Sequence, residues 1–112
     1  MSSGSEIVSV DTPLGPARFY VDGAEDQRAV LILGHGAGGG VGAMDLELLA
    51  RRMPERGVTV LRFEQPWRTA GRKVGAPPPK LDEAWLAAVG WLLDQSWTPG
   101  WVFFGGRSAG WW

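Results

Sequence analysis

Trp101-Val102-Phe103-Phe104-Gly105-Gly106-Arg107-Ser108-Ala109-Gly110 is the stretch that decides the fold. Four apolar residues run unbroken into a turn of small residues around one serine. A short apolar run bounded by glycine reads as a strand buried on both faces, as in a parallel sheet. The turn fits the pattern G-x-S-x-G at Gly106, Arg107, Ser108, Ala109 and Gly110. Small neighbours let the chain bend sharply between strand and helix. A serine on that bend holds its hydroxyl above the sheet edge, where an acyl carbon can reach it. The plain alternative is a glycine-rich turn that happens to contain serine.

Upstream, a second apolar run, Ala29–Leu33, enters Gly34-His35-Gly36-Ala37-Gly38-Gly39-Gly40. A glycine-rich turn in that place can present backbone N–H groups to a developing oxyanion. From Ala43 to Arg56 the period becomes helical, with Leu46, Leu49 and Met53 on one stripe and Leu48 beside it. Asp45 and Glu47 come early and Arg51, Arg52 and Arg56 late, an order that suits the helix dipole. Gly57 is the expected residue past the helix end, and Pro54 is expected to fray or kink the last turn. Val58–Phe63 reads as another buried strand, and Glu64–Lys80 as a long loop. Leu81, Trp85, Ala88, Val89, Leu92 and Leu93 predict a second helix, with Trp91 off its stripe. At the front, Glu6–Asp11 and Ala17–Val21 predict a β-hairpin about Thr12-Pro13-Leu14-Gly15-Pro16. The order is a hairpin followed by β-α-β-α-β. It predicts an α/β fold, a mostly parallel sheet with helices on both faces, in a single domain over residues 1–112.

Composition narrows the chemistry. Lys plus Arg is 11 and Asp plus Glu 12, a net charge of −1. That balance gives no electrostatic reason to expect nucleic acid or an acidic membrane as partner. Cysteine is absent and His35 is the one histidine. Disulfides, thiolate metal sites and zinc sites with two histidines are thereby excluded, and no metal is expected. No apolar run approaches the roughly 20 residues of a membrane span, and the first residues lack a signal-peptide pattern. A cytoplasmic location is the default expectation.

The two glycine-rich turns, each after an apolar strand, resemble those of the α/β-hydrolase superfamily. More narrowly, Leu33-Gly34-His35-Gly36-Ala37-Gly38-Gly39, Arg62-Phe63-Glu64-Gln65-Pro66-Trp67-Arg68 and Gly105-Gly106-Arg107-Ser108-Ala109-Gly110 resemble the compact, lid-less branch near dienelactone hydrolase and the testis-expressed hydrolase-like proteins. The likeness covers nearly the whole chain, and the strand count agrees with it. It implies that Ser108 is the nucleophile of ester, thioester or related acyl hydrolysis on a small-molecule substrate, with no cofactor. It implies oxyanion donors in the N–H groups of Ala37 and Ala109, Gly38 being the lesser choice for the first. Gly106, Arg107 and Gly110 then shape the nucleophile turn. His35, with Gly36 and Gly38, supports the oxyanion loop. Trp67, Arg68 and Arg72 lie on the loop past the next strand; a solvated loop whose Trp caps the sheet is the favoured reading, and contact with an anionic or aromatic substrate is the alternative.

The sequence also departs from the family pattern. A triad runs Ser, then Asp or Glu, then His along the chain, and only Ala109, Gly110, Trp111 and Trp112 follow Ser108. The expectation is therefore the amino-terminal part of such a fold, truncated just after the nucleophile turn and inactive alone. The family's strand order makes Trp101–Phe104 internal. Its far edge is expected to be bare here, a route to self-association. Two rival readings stand beside this one. The first is a non-catalytic hydrolase-like scaffold. The second is a dinucleotide-binding oxidoreductase using Gly34, Gly36 and Gly39, with Glu64 on the ribose.

Overall fold

A computed structural model describes residues 5–35, 41–72, 78–96 and 100–106. Five strands form one sheet in the order β1-β2-β4-β3-β5, where β1 is Glu6–Thr12, β2 Gly15–Asp22, β3 Ala29–Gly34, β4 Val58–Glu64 and β5 Val102–Gly106. The hairpin closes more tightly than the sequence suggested. Pro13 and Leu14 alone form its loop, and Gly15 follows with φ +110°, a conformation that disfavours side chains. Thr12 stitches the turn. Its hydroxyl donates to the Gly15 carbonyl at 2.7 Å and accepts from Leu14 N at 3.1 Å. β2 pairs antiparallel with β4, while β3 lies parallel between β4 and β5.

Alternation along β3 divides the core in two. Val30 and Ile32 face one side with Phe19, Leu61 and Phe63, beneath the helix α3, Pro78–Leu93. Leu31 and Leu33 face the other side with Val60, beneath the helix α1, Met44–Arg52. The helices thus cover both faces, as expected.

Helix details differ from the sequence reading. α1 stops at Arg52, and Met53–Arg56 continues as a 3-10 turn. Pro54 has no N–H to carry the α-helical ladder onward. The buried stripe of α1 is Leu46 and Ala50 with Met53 partly buried, whereas Leu48 and Leu49 are exposed. Gly57 ends the turn at φ +85°, and a Cβ there would come within 2.9 Å of the Asp26 carbonyl oxygen. The expected long loop contains a helical turn, α2, Pro66–Thr69. α3 begins at Pro78, ahead of the Leu81 predicted, because proline is at home in the first helical turn. Its buried side chains are Ala84, Trp85, Ala88 and Leu92, while Leu93 is exposed. Trp91 stacks on Phe19 with ring centroids 5.8 Å apart, so it belongs to the core margin.

β5 is where the buried-strand reading fails. Phe103 and Phe104 are about half exposed, and among the described residues no strand pairs with the far edge of β5.

Candidate active site

The two glycine-rich segments follow neighbouring strands. β3 and β5 run parallel in register, Val30 opposite Val102 through Gly34 opposite Gly106. Both strands therefore end at the same level on the same edge of the sheet. β4 ends beside them, with Phe63 opposite Gly34. The close approach of β5 to β3 uses a small residue: a Cβ on Gly105 would sit 3.3 Å from a Leu33 methyl. Of the residues assigned to the chemistry, Gly106 and His35 are described. Ser108, Ala109, Arg107 and Gly110, and likewise Gly36, Ala37 and Gly38, lie outside the described residues.

His35 is buried, with 3% of its surface exposed. Its Nε2 accepts a hydrogen bond from the backbone N–H of Gln65 at 3.1 Å. The imidazole meets Trp67 edge-on, with ring centroids 5.7 Å apart. A nitrogen that accepts from an amide carries no proton there, so the ring ties the end of β3 to the start of α2. Of the three residues assigned to a substrate loop, Trp67 is buried behind His35, and Arg68 and Arg72 are exposed. The Arg68 guanidinium lies 5.9 Å from the Trp67 ring centre, covering it from solvent.

Beside this pair is a cavity of about 80 Å³ between the β1–β2 turn and the starts of α2 and α3, lined by Leu14, Pro16, Gln65, Trp67, Leu81 and Ala84 among others. Gln65 Oε1 and Trp67 Nε1 are buried without partners among the described residues. A cavity of this size holds a few waters, which could satisfy such groups.

Glu64, the residue a ribose would need, has both carboxylate oxygens engaged. Thr69 Oγ1 donates to one at 2.8 Å and the Tyr20 hydroxyl approaches the other at 3.5 Å.

Sequence reasoning passed over one residue. Arg62 sits inside the apolar run of β4, on the α1 side, and is only 8% exposed. Its Nη1 donates to the Val41 carbonyl at 2.8 Å, and Nη2 donates to Ser5 Oγ at 2.7 Å and faces Asp22 Oδ2 at 3.5 Å. Ser5 Oγ in turn donates to the same Asp22 oxygen at 2.8 Å. The signal was present, since a charge inside a strand buried on both faces needs a partner.

Residues 27–111 match the sequence family described as an alpha/beta hydrolase domain. Similar solved structures agree. A lid-less α/β serine hydrolase from Xanthomonas campestris superposes with a TM-score of 0.76 at 26% identity, over 98% of this chain and 53% of that one. A dienelactone hydrolase from Anabaena variabilis gives a TM-score of 0.76 at 17% identity, over 95% of this chain and 52% of that one. An α/β serine hydrolase homologue from Coxiella burnetii gives 0.75 at 19%, over 98% and 55%. The chain thus spans about half the length of the structures it matches. No curated protein sequence matches it significantly. Among the described residues, no helix is long and apolar enough to cross a membrane.

Proposed function

The chain belongs to the alpha/beta hydrolase family, and from that premise we propose that it carries the nucleophile and oxyanion donors of a serine hydrolase. The substrate class is a small molecule with an ester, thioester or related acyl carbonyl, and the cytoplasm is the proposed location. The observation that supports this reading is the pairing of Gly34 with Gly106 at the ends of adjacent parallel strands. Turns that leave the sheet side by side can share one hollow. The Ser108 hydroxyl oxygen attacks the carbonyl carbon, and the carbonyl oxygen takes up the negative charge. The N–H groups of Ala37 and Ala109 hold that charge. The bond to the alcohol or thiol then breaks, and water later releases the acyl group from Ser108.

The first step needs a base for the serine proton. His35 is the one histidine in the sequence, and its Nε2 already accepts from Gln65 inside the fold. A serine–histidine pair therefore cannot be assembled from these residues, and this chain alone is proposed to react only slowly. Loss of triad members leaves a residual reaction, with costs on the order of 10⁴-fold or more.

A fluorophosphonate probe tests the proposal. Expected is slow labelling confined to Ser108 and absent in Ser108→Ala, at a rate about 10⁴- to 10⁶-fold below that of a hydrolase with a complete triad. Equal labelling of wild type and Ser108→Ala refutes the assignment of the nucleophile. No labelling of either favours a non-catalytic scaffold.

A further inference from the structure

We infer that His35 is an acid-sensitive latch: one proton taken up at Nε2 releases the end of β3 from the start of α2 and loosens the fold as pH falls below about 6.5. The inference rests on the ring and its contacts, and it stands apart from the assignment of Ser108.

Nothing else in the sequence competes for the part. The chain has one histidine and no cysteine. Model carboxylates take up protons near pH 4, the α-amino group near 8, and tyrosine and lysine near 10. Histidine is the side chain whose ordinary range lies between about pH 5 and 7.

That single imidazole sits where a proton disrupts structure. It is buried, and its Nε2 accepts from the Gln65 N–H at 3.1 Å. A protonated imidazole donates from both nitrogens. Its Nε2–H would point at the Gln65 N–H, donor against donor, so the ring or the peptide must move. Gln65 directly precedes the turn Pro66–Thr69, and Trp67 of that turn meets the ring at 5.7 Å. The bond that a proton removes is therefore one that joins two elements beyond the strand ladder.

The charged groups around this seam are already engaged or oppose a second cation. On α2, the Arg68 guanidinium lies 5.9 Å from the centre of the same Trp67 ring. On β4, the Glu64 carboxylate faces Thr69 Oγ1 at 2.8 Å and the Tyr20 hydroxyl at 3.5 Å. Arg62, also on β4, turns to Val41, Ser5 and Asp22. At the start of α3, whose Leu81 carbonyl accepts from Gln65 Nε2 at 3.5 Å, Lys80 and Glu83 pair with each other at 3.3 Å, and Asp82 is exposed. The neighbouring end of β5, Gly105 and Gly106, brings no charge.

An unfolded chain protonates its histidine freely below about pH 6.5, whereas the latched ring resists. The unfolded state then binds more protons, and stability drops as pH falls. If the folded ring takes none, the folding equilibrium constant falls about 30-fold between pH 7.5 and pH 5.

Urea unfolding of the chain at those two pH values, beside His35→Gln, tests the latch. Glutamine offers an oxygen that can accept from the Gln65 N–H, and it takes no proton. Wild type should lose about tenfold or more in the folding equilibrium constant, and His35→Gln less than about threefold. The Gln65 amide gives a second reading in wild type alone. Its protection against hydrogen exchange, relative to the intrinsic rate at each pH, should fall about tenfold over the same interval. The inference is overturned if wild type keeps its stability, if the Gln65 amide keeps its protection, or if His35→Gln loses as much as wild type, which would assign the effect to the carboxylates. Should His35→Gln fail to fold, the Gln65 amide decides. Fluorophosphonate labelling at neutral pH reads Ser108 alone, so its failure leaves the latch to be judged on unfolding and exchange.

Discussion

β4 and β5 make an instructive pair. Both flank β3, both run parallel to it, and both read in sequence as apolar runs of a buried strand. Yet Thr59 to Phe63 of β4 are all buried, while Phe103 and Phe104 of β5 stand half in solvent. The difference lies in the neighbours. β4 has β2 on its other edge, α1 above and α3 below. β5 has β3 on one edge and, across one face, the edge of Trp85 against Phe104 at 5.9 Å. On the other face Phe103 stacks on exposed Trp101, with centroids 6.3 Å apart. An apolar run states a demand for burial, and the rest of the fold decides whether the demand is met.

The largest expected effect tests that contrast directly. Phe63 is fully buried between Phe19 and Trp85, with centroids at 5.3 and 5.9 Å. Phe63→Ala should cost about 3–5 kcal/mol through lost burial and the cavity left behind. Phe104→Ala should cost less than about 1 kcal/mol, since its ring leaves little water-free space when removed. Urea unfolding midpoints measure both. Similar losses would mean that β5 is covered in solution by something the sheet order does not reveal.

The next effect sharpens the comparison at the strand ends. β3 and β4 are joined beyond the ladder by the His35 ring and the Gln65 N–H. His35→Ala leaves that buried donor without its acceptor and should destabilise by about 1–3 kcal/mol. Arg72→Ala, at an exposed position nearby, should stay within about 0.5 kcal/mol. Differential scanning fluorimetry on both variants checks the pair. Equal shifts would make the histidine a bystander.

What could be read in advance follows the same logic. The apolar runs at 29–33 and 58–63 and the helical stripe of α3 were legible because a residue's periodicity records the face it turns to the core. The register of Gly34 against Gly106 was not, since pairing between distant strands leaves no local mark. Pro54 announced the end of α1. The choice of Ala50 over Leu49 for the buried stripe was hidden, because alanine is small and weakly apolar and does not by itself mark a helix face as buried. The helical turn at 66–69 was masked by the prolines and glycines of the stretch 64–80 around it, which read as loop although Pro66 is well suited to start a helix. Of the candidate site, the two turns were visible as motifs. His35 was expected to support its loop, but its partner Gln65 and the bond from Arg62 to Val41 depend on side chains reaching across elements, and only the oddity of a charge in β4 hinted at the second.

The smallest effect on stability concerns the far edge of β5. Trp101 to Gly106 contains no charged residue, and both faces of the strand carry aromatic rings that water covers poorly. Among the described residues no strand pairs with that edge; unpaired N–H and C=O groups along an edge are a template for another strand, and charged side chains are what usually blunt it. The edge of β1 differs, carrying Glu6 and Asp11. We therefore expect the chain to self-associate through β5, a second copy adding its own β5 to the sheet. Phe103→Lys places a charge on the open face beside Trp101, where it removes no buried contact. Monomer stability should change by about 0.5 kcal/mol or less. Sedimentation velocity should show wild type growing heavier with concentration and Phe103→Lys staying monomeric. A lysine in the place of Ile7, exposed on β1, should leave the association intact. If the two lysines act alike, the association runs through general stickiness, and the contrast between β4 and β5 describes burial without describing assembly.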